Sequence, residues 1–378
     1  MRRVQKKLRV GVLFGGRSAE HEVSIVSARS VMKALDKKKY EVVPIGITKG
    51  GQWLTGGNVV NLLESGAKIP PVLRATLLPE PTQGKRELIR VKKTGDRVEG
   101  VDVIFPVLHG PLGEDGTVQG LLELAGIPYV GAGVLGSALG MDKIAQKLIF
   151  GEVGIPTATF VYTNITRYRK GKQKFLTDVK RRIGFPCFVK PPNLGSSIGI
   201  TKVHELRELE PALKQAFAYD RKVMVEKGIE RAWEIECSVL GNDEPKASLA
   251  GRMIPSNEFY DYDAKYVDEK SKTVIPAPLP KAIMRRVQDL AVKAFVALDL
   301  AGMARVDFLV QPKGWRVYVN EVNTIPGFTS ISMYPKLWQA SGLPYPKLLD
   351  ELIRLALERF GERGKLKTTY RPKKVWYR

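Results

Sequence analysis

Apolar positions along this chain fall into two rhythms, and the alternation between them outlines the fold. Leu8 to Phe14 is a short apolar run ending at Gly15-Gly16, as a buried strand entering a tight turn does, and the spacing from Val23 to Leu35 predicts a helix. Glu41 to Ile47 and Val101 to Leu108 read as further strands, and Thr117 to Ala125 as a helix closed by Gly126. Strands and helices in alternation pack as an α/β layer fold. Residues 56–100 are polar, proline-bearing and weakly periodic, so they read as loops with some strand between Arg86 and Val98. A helix is expected from Asp142 to Gly151, and Gly154-Ile155-Pro156 turns the chain into a strand from Ala158 to Tyr162, near the start of a second domain.

Phe185 to Lys190 is an apolar run ending in a lysine, followed by a Pro/Gly/Ser loop from Pro191 to Gly199 and a helix from His204 to Ala218. Val223 to Lys227, Trp233 to Leu240 and Lys246 to Ile254 then read as strands, and successive strands with few helices predict an antiparallel sheet. Ser256 to Pro278 combines charges, aromatics and turn residues without a period, as a long functional loop does. After a helix from Lys281 to Leu298, Met303 to Val310 and Trp315 to Val322 form a hairpin around Gln311-Pro312-Lys313-Gly314. Leu348 to Phe360 is the last helix, and a basic tail without apolar period follows from Gly361. No repeat is visible.

Composition narrows the class. With 378 residues, 44% hydrophobic and 26% charged, the chain can fill two or three globular domains, which excludes disorder and collagen. Its longest apolar runs hold about eight residues against the roughly 20 a membrane span requires, so no membrane insertion is expected. The apolar stretch behind the basic Met1 to Arg9 segment is too short for a secretion signal, and a cytoplasmic location is expected. Cys187 and Cys237 alone cannot build a disulfide framework or a structural zinc site, and they read as buried small hydrophobes. The net charge of +22 raises the prior for nucleic acid or acidic ligands. Its clusters, at Met1 to Arg9, Lys37 to Lys39, Arg167 to Lys174 and Gly361 to Arg378, read as solvated surface. A nucleic-acid binder finds no support in a zinc finger, an aromatic RNP pattern or a basic heptad helix.

Residues two apart on a strand share a face, so the hairpin presents Arg305 with Asp307 on one strand and Glu321 with Asn323 on the other. With the turn near Lys313 or Gly314, Asp307 and Glu321 fall opposite each other. Oxygen donors gathered this way suit Mg²⁺ completed by substrate phosphates; an ion pair of Arg305 with Asp307 or Glu321 is the plainer reading. The loop Pro191 to Gly199, with Lys190 before it and Ser196 and Ser197 within it, can fold backbone N–H groups over phosphate oxygens, or be only a flexible turn. Neither G-x-x-x-x-G-K-[ST] nor G-x-G-x-x-G is present, which argues against P-loop and Rossmann sites. Glu226-Lys227 at a strand end, followed by Glu234, reads as a charged edge or as the polar border of a nucleotide base and ribose.

In this order the segments resemble the D-alanine:D-alanine ligases of the ATP-grasp superfamily, from about Leu8 to Phe360. Gly15-Gly16-Arg17-Ser18-Ala19-Glu20-His21-Glu22-Val23-Ser24 is similar to that family's opening signature, Leu108-His109-Gly110-Pro111-Leu112-Gly113-Glu114-Asp115-Gly116 to its second, and Gly140-Met141-Asp142-Lys143 to its third. Lys190 with Gly195-Ser196-Ser197 matches the phosphate loop and Phe259 to Tyr266 the mobile loop. Arg305-Val306-Asp307 with Asn320 to Asn323 matches the metal hairpin, and Asn323 to Thr329 with Ser330 to Pro335 completes the set.

The resemblance implies a doubly wound α/β N-terminal domain (1–135) and a two-part, α+β ATP-grasp fold (136–230 and 231–360), followed by the basic tail (361–378). It implies that ATP phosphorylates one D-alanine and that the amine of a second attacks the acyl phosphate. By the same resemblance Glu20 and His109 lie at the first D-alanine, while Ser332 and Met333 lie at the second. Lys143, Lys190, Ser196, Ser197 and Lys265 would meet the triphosphate, Glu226, Lys227 and Ile229 the adenine, and Glu234 the ribose. Asp307, Glu321 and Asn323 would carry two Mg²⁺ or Mn²⁺ ions, and Arg305 with the Gly327 N–H would stabilise the tetrahedral oxyanion. Tyr266, Ser196 and Glu20 resemble the family's hydrogen-bonded triad; D-alanine:D-lactate relatives generally lack that tyrosine, so Tyr266 favours the dipeptide, with a D-alanine:D-lactate or D-alanine:D-serine ligase of the same fold as the alternative. A homodimer is usual in the family, and the 256–278 loop is expected to act as a lid over ATP.

Overall fold

The computed structural model describes residues 6–56, 58–67, 70, 73–79, 87–90, 97–254, 272–329 and 331–370, with backbone alone at 87–90 and 97–99. The chain opens with β1 (Leu8–Gly15), α1 (His21–Ala34), β2 (Tyr40–Ile47) and β3 (Trp53–Thr55), followed by α2 (Val59–Ser65). Next come β4 (Ala75–Leu77), β5 (Glu87–Arg90), β6 (Arg97–Gly100) and β7 (Val103–Pro106), then α3 (Thr117–Leu124), α4 (Val134–Met141) and α5 (Lys143–Glu152). The main sheet has the order β3-β2-β1-β7, with β2 and β7 parallel to β1 on its two sides. The chain therefore reverses direction across the sheet at β1, and the crevice beyond the carboxyl ends of β1 and β7 is where such sheets take ligands. Gly15 turns the chain there with φ +87; a Cβ would lie 2.2 Å from the Ile47 carbonyl oxygen. Ser24 on α1 locks the crevice by accepting the Gly15 N–H at 2.8 Å and donating to the Val107 carbonyl. That bond sets the start of α1, and with it Glu20.

The region 56–100, expected to be loops with some strand, instead holds α2 and a small sheet of order β4-β5-β6. Only two of those strands fall in the anticipated stretch. The helix packs Val59, 0% exposed, and Leu63 against β2, with Val60 also on the core, but its seven residues are too few for a period to be read.

The second unit comprises β8 (Phe160–Asn164), α6 (Ile165–Arg182), β9 (Cys187–Lys190), β10 (Thr201–Val203), α7 (Leu206–Phe217) and β11 (Lys222–Lys227), in an antiparallel sheet of order β10-β9-β11-β8. Leu176 and Val179 of α6 and Leu209 and Leu213 of α7 cover Val189 and Val225. The cluster Arg167 to Lys174 lies on helix α6 with its arginines and lysines exposed, the solvated surface expected of it. Asn164 caps it, accepting the Arg167 N–H at 2.9 Å, and Gly171 interrupts its helical geometry.

The third unit contains β12 (Trp233–Gly241), β13 (Lys246–Ile254), β14 (Lys272–Val274), α8 (Lys281–Ala297), β15 (Gly302–Gln311), β16 (Arg316–Asn323), α9 (Met333–Ala340) and α10 (Tyr345–Gly364). Its antiparallel sheet, β14-β13-β12-β15-β16, matches the strand-rich reading of this half. Val287, Ala291 and Phe295 of α8 pack on Ile235, Val306 and Phe308. On the other face, Phe328, Tyr334 and α10 share one core with Phe14, Val103 and Phe105 of the first sheet. The α10 helix reaches Gly364, four residues into the segment read as a tail, and 371–378 lie outside the described residues. Among the described residues no helix is long and apolar enough to cross a membrane. Both cysteines are buried, which pushes the Cys187 thiol up to about 11 and the Cys237 thiol to about 12, as inert core residues require.

Gly136 on α4 fixes how this helix meets the turn before β15, since a Cβ there would lie 2.4 Å from the Asp299 carbonyl oxygen. Backbone cannot yield as a flexible side chain does. Gly136→Ala is therefore expected to destabilise the fold by about 1–3 kcal/mol; urea unfolding followed by circular dichroism checks this, and an unchanged midpoint would contradict it.

Candidate active site

The register of β15 and β16 sets Arg305 opposite Asn323 and Asp307 opposite Glu321, as the sequence spacing predicts. Arg305 grips Asp307 with both arms, Nε to Oδ1 at 2.7 Å and Nη2 to Oδ2 at 2.8 Å, and Asn323 Nδ2 donates to Oδ2 at 2.9 Å. The ion pair read as the plainer alternative thus exists, but in a cleft: the two side chains are only 17% and 16% exposed. Sequence reasoning missed Glu236, which the β12–β15 pairing sets opposite Asp307 and whose Oε2 lies 3.1 Å from Arg305 Nε. Burial works against charge on Arg305, yet Asp307 and Glu236 outweigh it and hold the guanidinium ionised.

Beside the hairpin, α5 aims two lysines into the cleft. Asp142 caps the helix by accepting the Ile144 and Ala145 N–H groups and is itself tied by Lys222. Lys143 then reaches Glu321 at 3.0 Å and the Leu194 carbonyl at 2.8 Å. One turn on, Lys147 meets Glu226 Oε1 at 2.5 Å, and Lys190 at the end of β9 meets the other oxygen at 2.6 Å. Burial opposes the charge on Glu226, but the two lysines outweigh it and hold its carboxyl below its ordinary range. Lys147 was not singled out from the sequence, although its i,i+4 spacing from Lys143 puts both on one helix face. Gln146 docks α5 on the open edge of β16, accepting the Val322 N–H at 2.9 Å and donating to its carbonyl at 3.1 Å.

The phosphate loop bends sharply, with Ser196 and Ser197 at φ +49 and +60. Asn193 anchors its base on Asp220 at 2.7 Å. At its tip the Ser196 hydroxyl donates to Glu20 Oε1, and Gly195 is needed because a Cβ would lie 2.8 Å from Glu20 Oε2. Glu20, Ser196 and Lys143, far apart in sequence, meet around one cleft.

On the first-sheet side, His109 is 6% exposed and donates from Nδ1 to the Ile325 carbonyl at 3.2 Å, which leaves Nε2 to accept from Ser27. Burial lowers its pKa, so the ring is neutral. Glu114, quoted within a motif but given no role, accepts the Gly110 N–H at 2.7 Å and the Ile325 N–H at 3.2 Å, tying two loops of the cleft. Burial and the nearby Glu20 raise its pKa to about 8 from 4.5. The folded protein therefore keeps a proton that the unfolded chain loses, and stability is expected to fall as pH rises from about 4.5 through about 8. Glu114→Gln should flatten that slope in urea titrations at successive pH values; an unchanged slope would contradict the assignment.

Ser332 opens α9 and accepts the Thr329 N–H at 3.1 Å, and a Cβ on Gly327 would lie 2.7 Å from its hydroxyl. Met333 points away from the cleft: its side chain is 3% exposed and packs with Met253 and Leu337. A side-chain contact from Met333 to a ligand is thus not what this conformation offers. Lys227 and Ile229 line a cavity of ≈ 390 Å³ with Thr157, Phe185 and Tyr318, within the ordinary range of small-molecule pockets. Glu234, at the start of β12, is paired in the sheet and does not line it. Lys265 and Tyr266 lie outside the described residues.

Family models for the D-ala D-ala ligase N-terminus and C-terminus match residues 9–132 and 149–354. A D-alanine–D-alanine ligase of Thermoanaerobacter sp. (strain X514) is 54% identical over 95% of this chain and 99% of its own. One from Natranaerobius thermophilus is 48% identical over 97% of this chain and 99% of its own. Among solved structures, the D-alanine-D-alanine ligase from Coxiella burnetii superposes with a TM-score of 0.81 at 39% identity, covering 95% of this chain and 96% of that one. The VanG D-Ala:D-Ser ligase from Enterococcus faecalis gives 0.81 at 37%, covering 93% and 100%. With both halves matched and relatives this similar over nearly its whole length, the chain belongs to the D-alanine–D-alanine ligase family.

Proposed function

We propose that this protein joins two D-alanines into D-alanyl-D-alanine for peptidoglycan precursors, with ATP cleaved to ADP and phosphate. The contact between Glu20 and Ser196 carries the reading, because it brings a carboxylate able to hold a substrate ammonium against a loop able to hold phosphate. A carboxylate oxygen of the first D-alanine takes the γ-phosphoryl group, giving an acyl phosphate. The neutral amine of the second D-alanine then attacks its carbonyl carbon, the nitrogen gives up a proton, and phosphate leaves. Arg305 and the Gly327 N–H stand at the oxyanion of that adduct, while Lys143 and Lys190 neutralise phosphate oxygens.

Asp307, Glu321 and Asn323 would hold two Mg²⁺ or Mn²⁺ ions, which supply charge to bridge and neutralise phosphates. The residues fit: each carboxylate is already met by a cation of the chain, Arg305 or Lys143, so this face is built to take positive charge. Among the described residues no cluster of three His, Cys, Asp or Glu side chains could hold a metal alone, in keeping with a site completed by phosphate. The proposal extends to Glu226, Lys227 and Ile229 at adenine, Glu234 at ribose, Lys265 and Tyr266 on a lid, and Ser332 at the second substrate. It also takes the 1–135, 136–230 and 231–360 division and a cytoplasmic homodimer from the family pattern.

The likeness to a D-Ala:D-Ser ligase makes D-serine the competing acceptor. Equimolar D-alanine and D-serine, with the products weighed, separates the two. D-Alanyl-D-alanine is expected in excess, and a predominance of D-alanyl-D-serine would overturn the assignment of the second substrate.

A further inference from the structure

Lys147 is 2% exposed, more deeply buried than Lys143 or Lys190, and among the described residues its ammonium forms one ion pair, with Glu226 Oε1 at 2.5 Å. Its position is unusual for a cation. It sits one turn from Lys143 on α5, and its ammonium meets Oε1 of Glu226, both atoms being shut off from solvent. Lys190 holds the other oxygen, Oε2.

The two lysines have different futures when nucleotide enters. Lys190 ends the strand that feeds the phosphate loop and is the one called to the phosphates. Its departure removes half of Glu226's charge compensation, and a buried carboxylate left without a cation takes up a proton. Lys147, whose one ion pair among the described residues is with Glu226, stays.

We infer that Lys147 is a positioning residue that fixes Glu226 as an ionised, acceptor-only carboxylate, so that the site takes a purine with a 6-amino group and rejects one with a 6-oxo group. An ionised carboxylate only accepts hydrogen bonds, whereas a protonated one also donates. The 6-amino group donates to Oε2 as Lys190 vacates it; a 6-oxo group would set acceptor against acceptor. The inference rests on the adenine site proposed above.

The test compares kcat/KM for ATP and ITP in the full chain, together with KM for D-alanine. Lys147→Met keeps the length and removes the charge. Its ATP-to-ITP preference is expected to fall about tenfold or more, with KM for ATP raised and both D-alanine KM values within about twofold of the parent. An unchanged preference in the folded variant would overturn the inference, as would an equal loss against every substrate, which is what mere support of the fold produces. Should Lys147→Met not fold, the double variant Lys147→Met/Glu226→Gln removes the Lys147–Glu226 pair as a whole and leaves no buried carboxylate there, with Lys190 as the one charge of the three that remains. An amide can donate or accept, so this variant is expected to use both nucleotides, and a retained strong preference for ATP would overturn the inference. Glu226→Gln alone separates the two levels of the argument. If it leaves KM for ATP unchanged, the adenine site itself is misplaced; if it raises KM while the Lys147 variants keep full discrimination, only the role of Lys147 fails.

Discussion

Replacing Arg305 with methionine is expected to lower kcat by about a thousandfold, the loss that follows removal of an oxyanion donor in other acyl-transfer sites. The size of the effect comes from what Arg305 touches. It is bound by both oxygens of Asp307 and lies 3.1 Å from Glu236, so its guanidinium is fixed before any substrate arrives. Such a group stabilises charge in the transition state with little reorganisation. Methionine keeps most of the volume but leaves Asp307 and Glu236, which face each other across β12 and β15, without a shared cation. Arg305→Lys should rescue little, because one ammonium cannot bind two carboxylates in the plane of a guanidinium. Steady-state phosphate release beside circular dichroism checks this. A folded Arg305→Met enzyme within tenfold of the parent kcat would remove Arg305 from the chemistry.

Phe328→Ala is expected to cost about 3–5 kcal/mol of stability, the usual loss for a buried phenylalanine. Phe328 is 0% exposed, stands edge-on to Phe105 of β7 at 5.6 Å between ring centres, and packs beside Tyr334 and Tyr345. It therefore joins the first sheet to α9 and α10 in one core. It also follows Gly327, so the cavity would loosen the loop that carries the N–H proposed for the oxyanion, and kcat is expected to fall with stability. Urea unfolding of the full chain measures the first effect. A midpoint close to the parent's would show that the two halves do not share this core energetically.

What could be read from the sequence is what local pattern determines. The strands Lys246 to Ile254 and Trp233 to Leu240, and the hairpin register that pairs Asp307 with Glu321, follow from alternation and turn position. Helix α6 escaped because its lysines and arginines obscure the spacing of Tyr168, Phe175, Leu176 and Val179. Helices α4 and α9 are short, and glycines in one and Pro335 in the other speak against helix, so tertiary packing overrides local preference.

The site divides in the same way. Residues inside the motifs meet in pairs, Glu20 with Ser196, Lys143 with Glu321 and Arg305 with Asp307. Glu236, Lys147 and the bridging role of Glu114 depend on which elements face each other, and one strand gives no register against a distant partner.

The most direct measurement is phosphate release from ATP and Mg²⁺ with D-alanine, L-alanine or D-alanine plus D-lactate, each product identified by mass. The account predicts release that depends on D-alanine alone, with D-alanyl-D-alanine as the product. Absence of D-alanine-dependent release, or a product lacking the D-alanyl-D-alanine mass, would contradict it.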